Sequence, residues 1–88
     1  MARYSLRIKK SARKELESIT TKADRRRIIK RIESLAHDPR PPGALKLSGR
    51  ERYRIRQGRY RILYTIEDTL LVVHVIRIGD RKDVYRSN

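Results

Sequence analysis

The stretch from Tyr53 to Tyr85, YRIRQGRYRILYTIEDTLLVVHVIRIGDRKDVY, constrains this chain more than any other. Side chains alternate between the two faces of a strand, and three strand patterns follow one another here across short turns. In the first, Tyr53 and Ile55 fall on one face and Arg54 and Arg56 on the other. Gln57-Gly58 is a tight-turn signal, after which Arg59 to Glu67 returns with Tyr60, Ile62, Tyr64 and Ile66 on one side and Arg59, Arg61, Leu63 and Thr65 on the other. Asp68-Thr69 marks a second turn. The run Leu70 to Ile78 is apolar on both faces apart from His74 and Arg77, the pattern of a central strand covered on both sides, and Gly79-Asp80 reads as its end. The last segment carries Arg81, Lys82, Tyr85 and Arg86. Such a meander buries one face and gathers cations on the other.

The residues before it supply the layer for the buried face. Tyr4, Leu6 and Ile8 alternate with Arg3, Ser5 and Arg7, which predicts a half-buried first strand. Ser11 can N-cap a short amphipathic helix running to about Ile19, with Ala12, Leu16 and Ile19 on its apolar face. Thr21 with Asp24 resembles a capping box for a longer helix carrying Ile28, Ile29, Ile32, Leu35 and Ala36, which His37-Asp38-Pro39 ends. Two helices so closely joined are expected to form an antiparallel hairpin. Arg40 to Arg50 contains Pro41, Pro42, Gly43 and Gly49, without periodicity, so it reads as a long connection pinned to the core by Leu45 and Leu47. The expected architecture is a single α+β domain over residues 1–88: an N-terminal strand and a two-helix hairpin packed on a mostly antiparallel sheet of three to four strands.

Charge indicates the partner. Against 10 Asp+Glu stand 24 Lys+Arg, a formal net charge of +14, which costs self-repulsion and favours a polyanion. There is no cysteine, so a disulfide framework and a thiolate metal site are excluded. No apolar run approaches a membrane span, and the expectation is a soluble, cytoplasmic protein. His37 reads as a residue at a helix C-terminus, and His74, among valines, as a satisfied core histidine. The adjacent acids Glu67 and Asp68, and Asp80 with Asp83, have ordinary turn composition, so neither a metal nor another cofactor is expected. Tyr53, Tyr60 and Tyr64 share faces with isoleucines and read as core aromatics. The basic residues of the helices, Arg25, Arg26, Arg27, Lys30 and Arg31 among them, read as phosphate-backbone contacts or as solvated surface. Candidate machinery is thereby narrowed to arginine, lysine and tyrosine.

The segment YRIRQGRYRILYTIE followed by VIRIGDRKDVYR resembles the RelE/ParE toxin superfamily, and within it the RelE-type branch of messenger-RNA interferases. The likeness extends from the basic first strand through LKLSGRERYRIR to the terminal RKDVY. It implies the toxin of a type II toxin–antitoxin pair, a ribosome-dependent and metal-independent endoribonuclease that inhibits translation. It also implies a RelB-like antitoxin from the adjacent gene, with the ribosome and messenger RNA as further partners. By position, the family's catalytic cations fall on Arg54, Arg56, Arg61 and Arg81, and its catalytic tyrosine on Tyr85. Lys46, Arg50, Arg59, Lys82 and Arg86 are candidate RNA contacts. The RelE-type pattern has lysines where this chain has Arg54 and Arg56, and arginine does not release its proton near neutral pH.

The chemistry of that set agrees with the resemblance. RNA carries its own nucleophile, the 2′-hydroxyl, so a metal-free enzyme must orient it, accept its proton, stabilise charge on phosphorus and protonate the leaving 5′-oxygen. Arginine forks match phosphate oxygens, and the same cations favour the phenolate of Tyr85, which makes it a candidate base. Two other readings stand beside this one: a ParE-like inhibitor of DNA gyrase with the same fold, and a non-catalytic basic RNA-binding module.

Overall fold

The computed structural model describes residues 3–47 and 51–80. The alternation of the meander is realised as three antiparallel strands, which take their place in the order β1 (Ser5–Ile8), α1 (Lys10–Glu17), α2 (Lys22–Ser34), β2 (Leu45–Lys46), β3 (Arg52–Gln57), β4 (Tyr60–Glu67) and β5 (Val72–Asp80). They form one five-stranded sheet ordered β1-β5-β4-β3-β2. The two strands outside the meander close its sides: β2 pairs antiparallel with β3, while β1 pairs parallel with β5, Ser5 beside Val72 and Ile8 beside Val75. This is an α+β fold, and β1 lies within the sheet.

One sheet face is apolar because the register brings like with like. Ile55 pairs with Ile62, Tyr53 with Tyr64, and Ile62 in turn with Ile78. Both helices lie over this face, α1 along β5 and α2 toward β3. Ala12 and Leu16 of α1, with Ile28 and Ile32 of α2, meet Ile55, Ile62 and Val75 in a common core. Each fully buried isoleucine contributes about 1.5–3 kcal/mol of apolar transfer. Tyr64 is buried there, with Tyr53 and Tyr60 packed at the margin, as their shared faces predict.

Several boundaries differ from the sequence reading, each for a local reason. Lys9, not Ser11, is the N-cap residue of α1, and neither it nor Thr21 at the start of α2 makes a side-chain capping bond. The turn after β4 runs from Asp68 to Leu71, so Leu70 and Leu71 are exposed and outside the strand; Leu71, at φ 53°, supplies its carbonyl to the Ser5 N–H. Gly79-Asp80 does not end β5, because Arg61 and Tyr60 continue the ladder opposite them. Leu45 does not pin the loop: it pairs with Arg54, on the face away from the helices, and remains 50% exposed. His74 is no core histidine. It pairs with Thr65 on that same face, between the core residues Val73 and Val75, and bonds Glu67 at 2.6 Å.

Candidate functional site

The face away from the helices carries the cations. Because Ile55 and Ile62 point to the core, their neighbours point outward: Arg52, Arg54 and Arg56 on β3, with Arg61 and Leu63 on β4. Arg56 stands directly across from Arg61, and Arg54 is one pair further along, across from Leu63. Like charges directly opposite on neighbouring strands repel each other. On its other side Arg61 faces Gly79, which has no side chain to crowd the guanidinium. Arg61 is only 4% exposed. Leu63, also buried, separates this cluster from Thr65, His74 and Glu67 farther along the same face.

The structure brings together three of the expected catalytic cations, Arg54, Arg56 and Arg61, and sets two expected RNA contacts apart from them. Lys46 pairs with Tyr53, on the helix side of β3, and its ammonium lies 3.3 Å from Glu51. Arg59 belongs to the turn before β4, so strand alternation does not govern it; it turns to the helix side, bonds Asp80 at 2.8 Å and lies over the Tyr60 ring. That carboxylate raises the Arg59 pKa. Arg50, Arg81, Lys82, Tyr85 and Arg86 lie outside the described residues. Arg52 joins this face as well, one step back in the alternation that carries Arg54 and Arg56. Among the described residues no group of three or more histidines or carboxylates is placed to hold a metal ion, and no helix is long and apolar enough to cross a membrane.

A family model described as the ParE toxin of type II toxin–antitoxin system, parDE, matches residues 6–85, nearly the whole sequence. The chain belongs to this toxin family, within the RelE/ParE superfamily. Among solved structures, the toxin resembles the archaeal RelE–RelB complex from Pyrococcus horikoshii at 30% identity, covering 92% of this chain and 97% of that one, with a TM-score of 0.80. The isolated RelE toxin of E. coli is similar at 30% identity, 94% and 92% coverage and a TM-score of 0.77. The RelBE2 complex of Mycobacterium tuberculosis, at 23% identity and a TM-score of 0.79, shares the fold. A search among curated proteins gave no match.

The toxin's connecting loop is held by a polar network at the end of the sheet opposite the β3–β4 turn. Arg40 bonds Asp68 through both terminal nitrogens, at 3.1 and 2.9 Å, and donates from Nε to the Tyr53 hydroxyl at 3.1 Å. The Tyr4 hydroxyl donates to the same Asp68 at 2.7 Å. Arg40 first, then Tyr4, hold the Asp68 carboxyl down at about 2. Tyr53 stacks on Tyr64, whose buried hydroxyl donates to the Pro39 carbonyl at 2.8 Å. Burial, and after it Tyr53, pushes the Tyr64 phenol up to about 12. This network fixes the strand that bears Arg54 and Arg56, because Tyr53 immediately precedes them.

Proposed function

We propose that the toxin is a ribosome-dependent, metal-independent endoribonuclease that cleaves messenger RNA and thereby inhibits translation. The observation that carries this reading is the placement of Arg54, Arg56 and Arg61 at neighbouring register positions on one sheet face. A phosphate over that face would meet guanidinium forks from two strands, held on rigid elements and aimed at the charge that grows in the transition state. The 2′-oxygen attacks phosphorus, the bond to the 5′-oxygen breaks, and the leaving 5′-oxygen takes a proton from solvent, so that the products are a 2′,3′-cyclic phosphate and a 5′-hydroxyl with no net consumption of water. Arg81 joins the charge-stabilising set, Tyr85 accepts the 2′-proton, and Arg50, Lys82 and Arg86 contact the RNA backbone. With Lys46 turned to the helix side, tyrosine is favoured over that lysine as the base. The partner that restrains this activity is a RelB-like antitoxin, supported by likeness to RelE structures solved with RelB.

A second reading, inhibition of DNA gyrase, is favoured by the family model, which is that of ParE. Inducing the gene and following protein synthesis beside plasmid supercoiling separates the two. Translation arrest with mapped cuts in messenger RNA, relieved by the neighbouring gene product, is expected. Relaxed or broken DNA with intact messages would replace the nuclease reading with the second. Cleavage on programmed ribosomes should persist after chelation under conditions that keep the ribosome intact, and a divalent-metal requirement at the cleavage step would overturn the arginine mechanism.

A further inference from the structure

On the helix side of the sheet, opposite the face of Arg54 and Arg56, a cleft of about 260 Å3 is lined by Arg27, Lys30, Arg31 and Ser34 of α2 and by Gln57 at the end of β3. Positions 27, 30 and 31 stand at i, i+3 and i+4, so one helix face presents three cations together, an arrangement that by itself destabilises a helix. Their charge is barely compensated. Arg27 approaches Asp24 at 3.8 Å with its side chain two-thirds exposed, which is worth little, and among the described residues Lys30 and Arg31 form no ion pair. Among the described residues the enclosed Arg31 Nε has no hydrogen-bond partner. Buried donors in native structures nearly always have one. A Cβ at Gly43 would lie 3.9 Å from a terminal Arg31 nitrogen, so the guanidinium sits between α2 and the loop after it. The Ser34 hydroxyl is committed to the Arg31 carbonyl at 2.6 Å, which leaves the three cations and the Gln57 amide as donors to a ligand.

We propose that this cleft binds a phosphodiester group of an RNA backbone, as a second phosphate site on the far side of the sheet from the arginine face. An arginine fork takes two phosphate oxygens, Lys30 adds a point charge, and Gln57 supplies a neutral donor from a separate element. RNA brings one charge per nucleotide and can neutralise all three cations, whereas an isolated peptide carboxylate meets them with a single charge. Nothing in this proposal requires that the toxin cleave RNA.

The test uses the purified toxin with a short single-stranded RNA whose 2′-hydroxyls are methylated to block cleavage. The Gln57 side-chain amide and Arg31 Nε–H resonances should shift on titration. Arg27→Gln/Lys30→Gln, at exposed positions that leave the core intact, should weaken binding at least fivefold and reduce the slope of log affinity against log salt by about 0.7, the loss of one phosphate contact on a single strand. The Arg54→Ala/Arg56→Ala variant should retain the Gln57 and Arg31 shifts. Shifts confined to the Arg54 face, with affinity of the Arg27→Gln/Lys30→Gln variant within twofold of wild type, would overturn the proposal. So would a polyglutamate probe that produces the same shifts at lower concentration and displaces the RNA, since the cleft would then be a site for an acidic protein segment.

Discussion

Two residues decide most at the smallest scale. On the nuclease reading proposed above, Arg54 and Arg56 cannot take the 2′-hydroxyl proton and Tyr85 is the proposed base; Tyr85→Phe, which keeps the ring, should then slow single-turnover cleavage on programmed ribosomes by roughly 10²–10⁴-fold with little change in ribosome binding. A rate within about threefold of wild type, under 0.7 kcal/mol, would send the proton elsewhere. Asp68 adds a pH-dependent contribution to stability in acid. Its folded pKa is depressed to about 2 by Arg40 and Tyr4, so its contribution is fully present above the unfolded value of about 3.9 and is lost as pH falls through that value toward 2. Asp68→Asn should therefore unfold earlier than wild type at pH 6, and the two melting curves should converge near pH 2. A gap that persists unchanged at pH 2 would mean that the carboxylate charge is not the source.

Among the elements, β5 is flanked by a strand on both sides for only part of its length. It runs on to Asp80, whereas its parallel neighbour β1 ends at Ile8 opposite Val75, so among the described residues no strand pairs with the far half of that edge. Exposed edges invite wrong pairing, and here α1 covers the gap. Glu15 accepts from the Ile78 N–H at 2.9 Å and from the Arg77 Nε at 3.1 Å, tying the helix to the strand at two points. Glu15→Ala should leave a part-buried N–H without its acceptor at a cost of about 1–3 kcal/mol. Each kcal/mol corresponds to about 4–8 °C in Tm for a domain of this size. Hydrogen exchange should quicken at Ile78 in particular. Glu15→Gln, which keeps one acceptor oxygen, should fall between the two, and an unchanged Ile78 exchange rate in Glu15→Ala would show that the edge is protected by something else.

Over the whole molecule the +14 charge is distributed rather than pooled. Glu15, Glu51, Asp68 and Asp80 are engaged with Arg77, Lys46, Arg40 and Arg59 at edges and turns, where they fasten loops and helices to the sheet. These four pairs lie apart from the cations of α2 and from Arg56, and cations stand on both sides of the sheet. The sequence by itself determined the meander, because strand alternation is a property of the backbone and assigns Ile55, Ile62 and Tyr64 to the opposite face from Arg54, Arg56 and Arg61 whatever the rest of the chain does. It determined two helices before the sheet for the same kind of reason, through the spacing of Ala12 and Leu16 and of Ile28 and Ile32. What it could not contain is which strands become neighbours and where a long side chain goes once it leaves its strand. Only the tertiary structure set β1 parallel to β5, turned Lys46 and Arg59 away from the arginine face, drew His74 out to Glu67 and joined Arg40 to Asp68, 28 residues away. Those outcomes depend on pairing and register between distant segments, and periodicity within a segment carries no term for them.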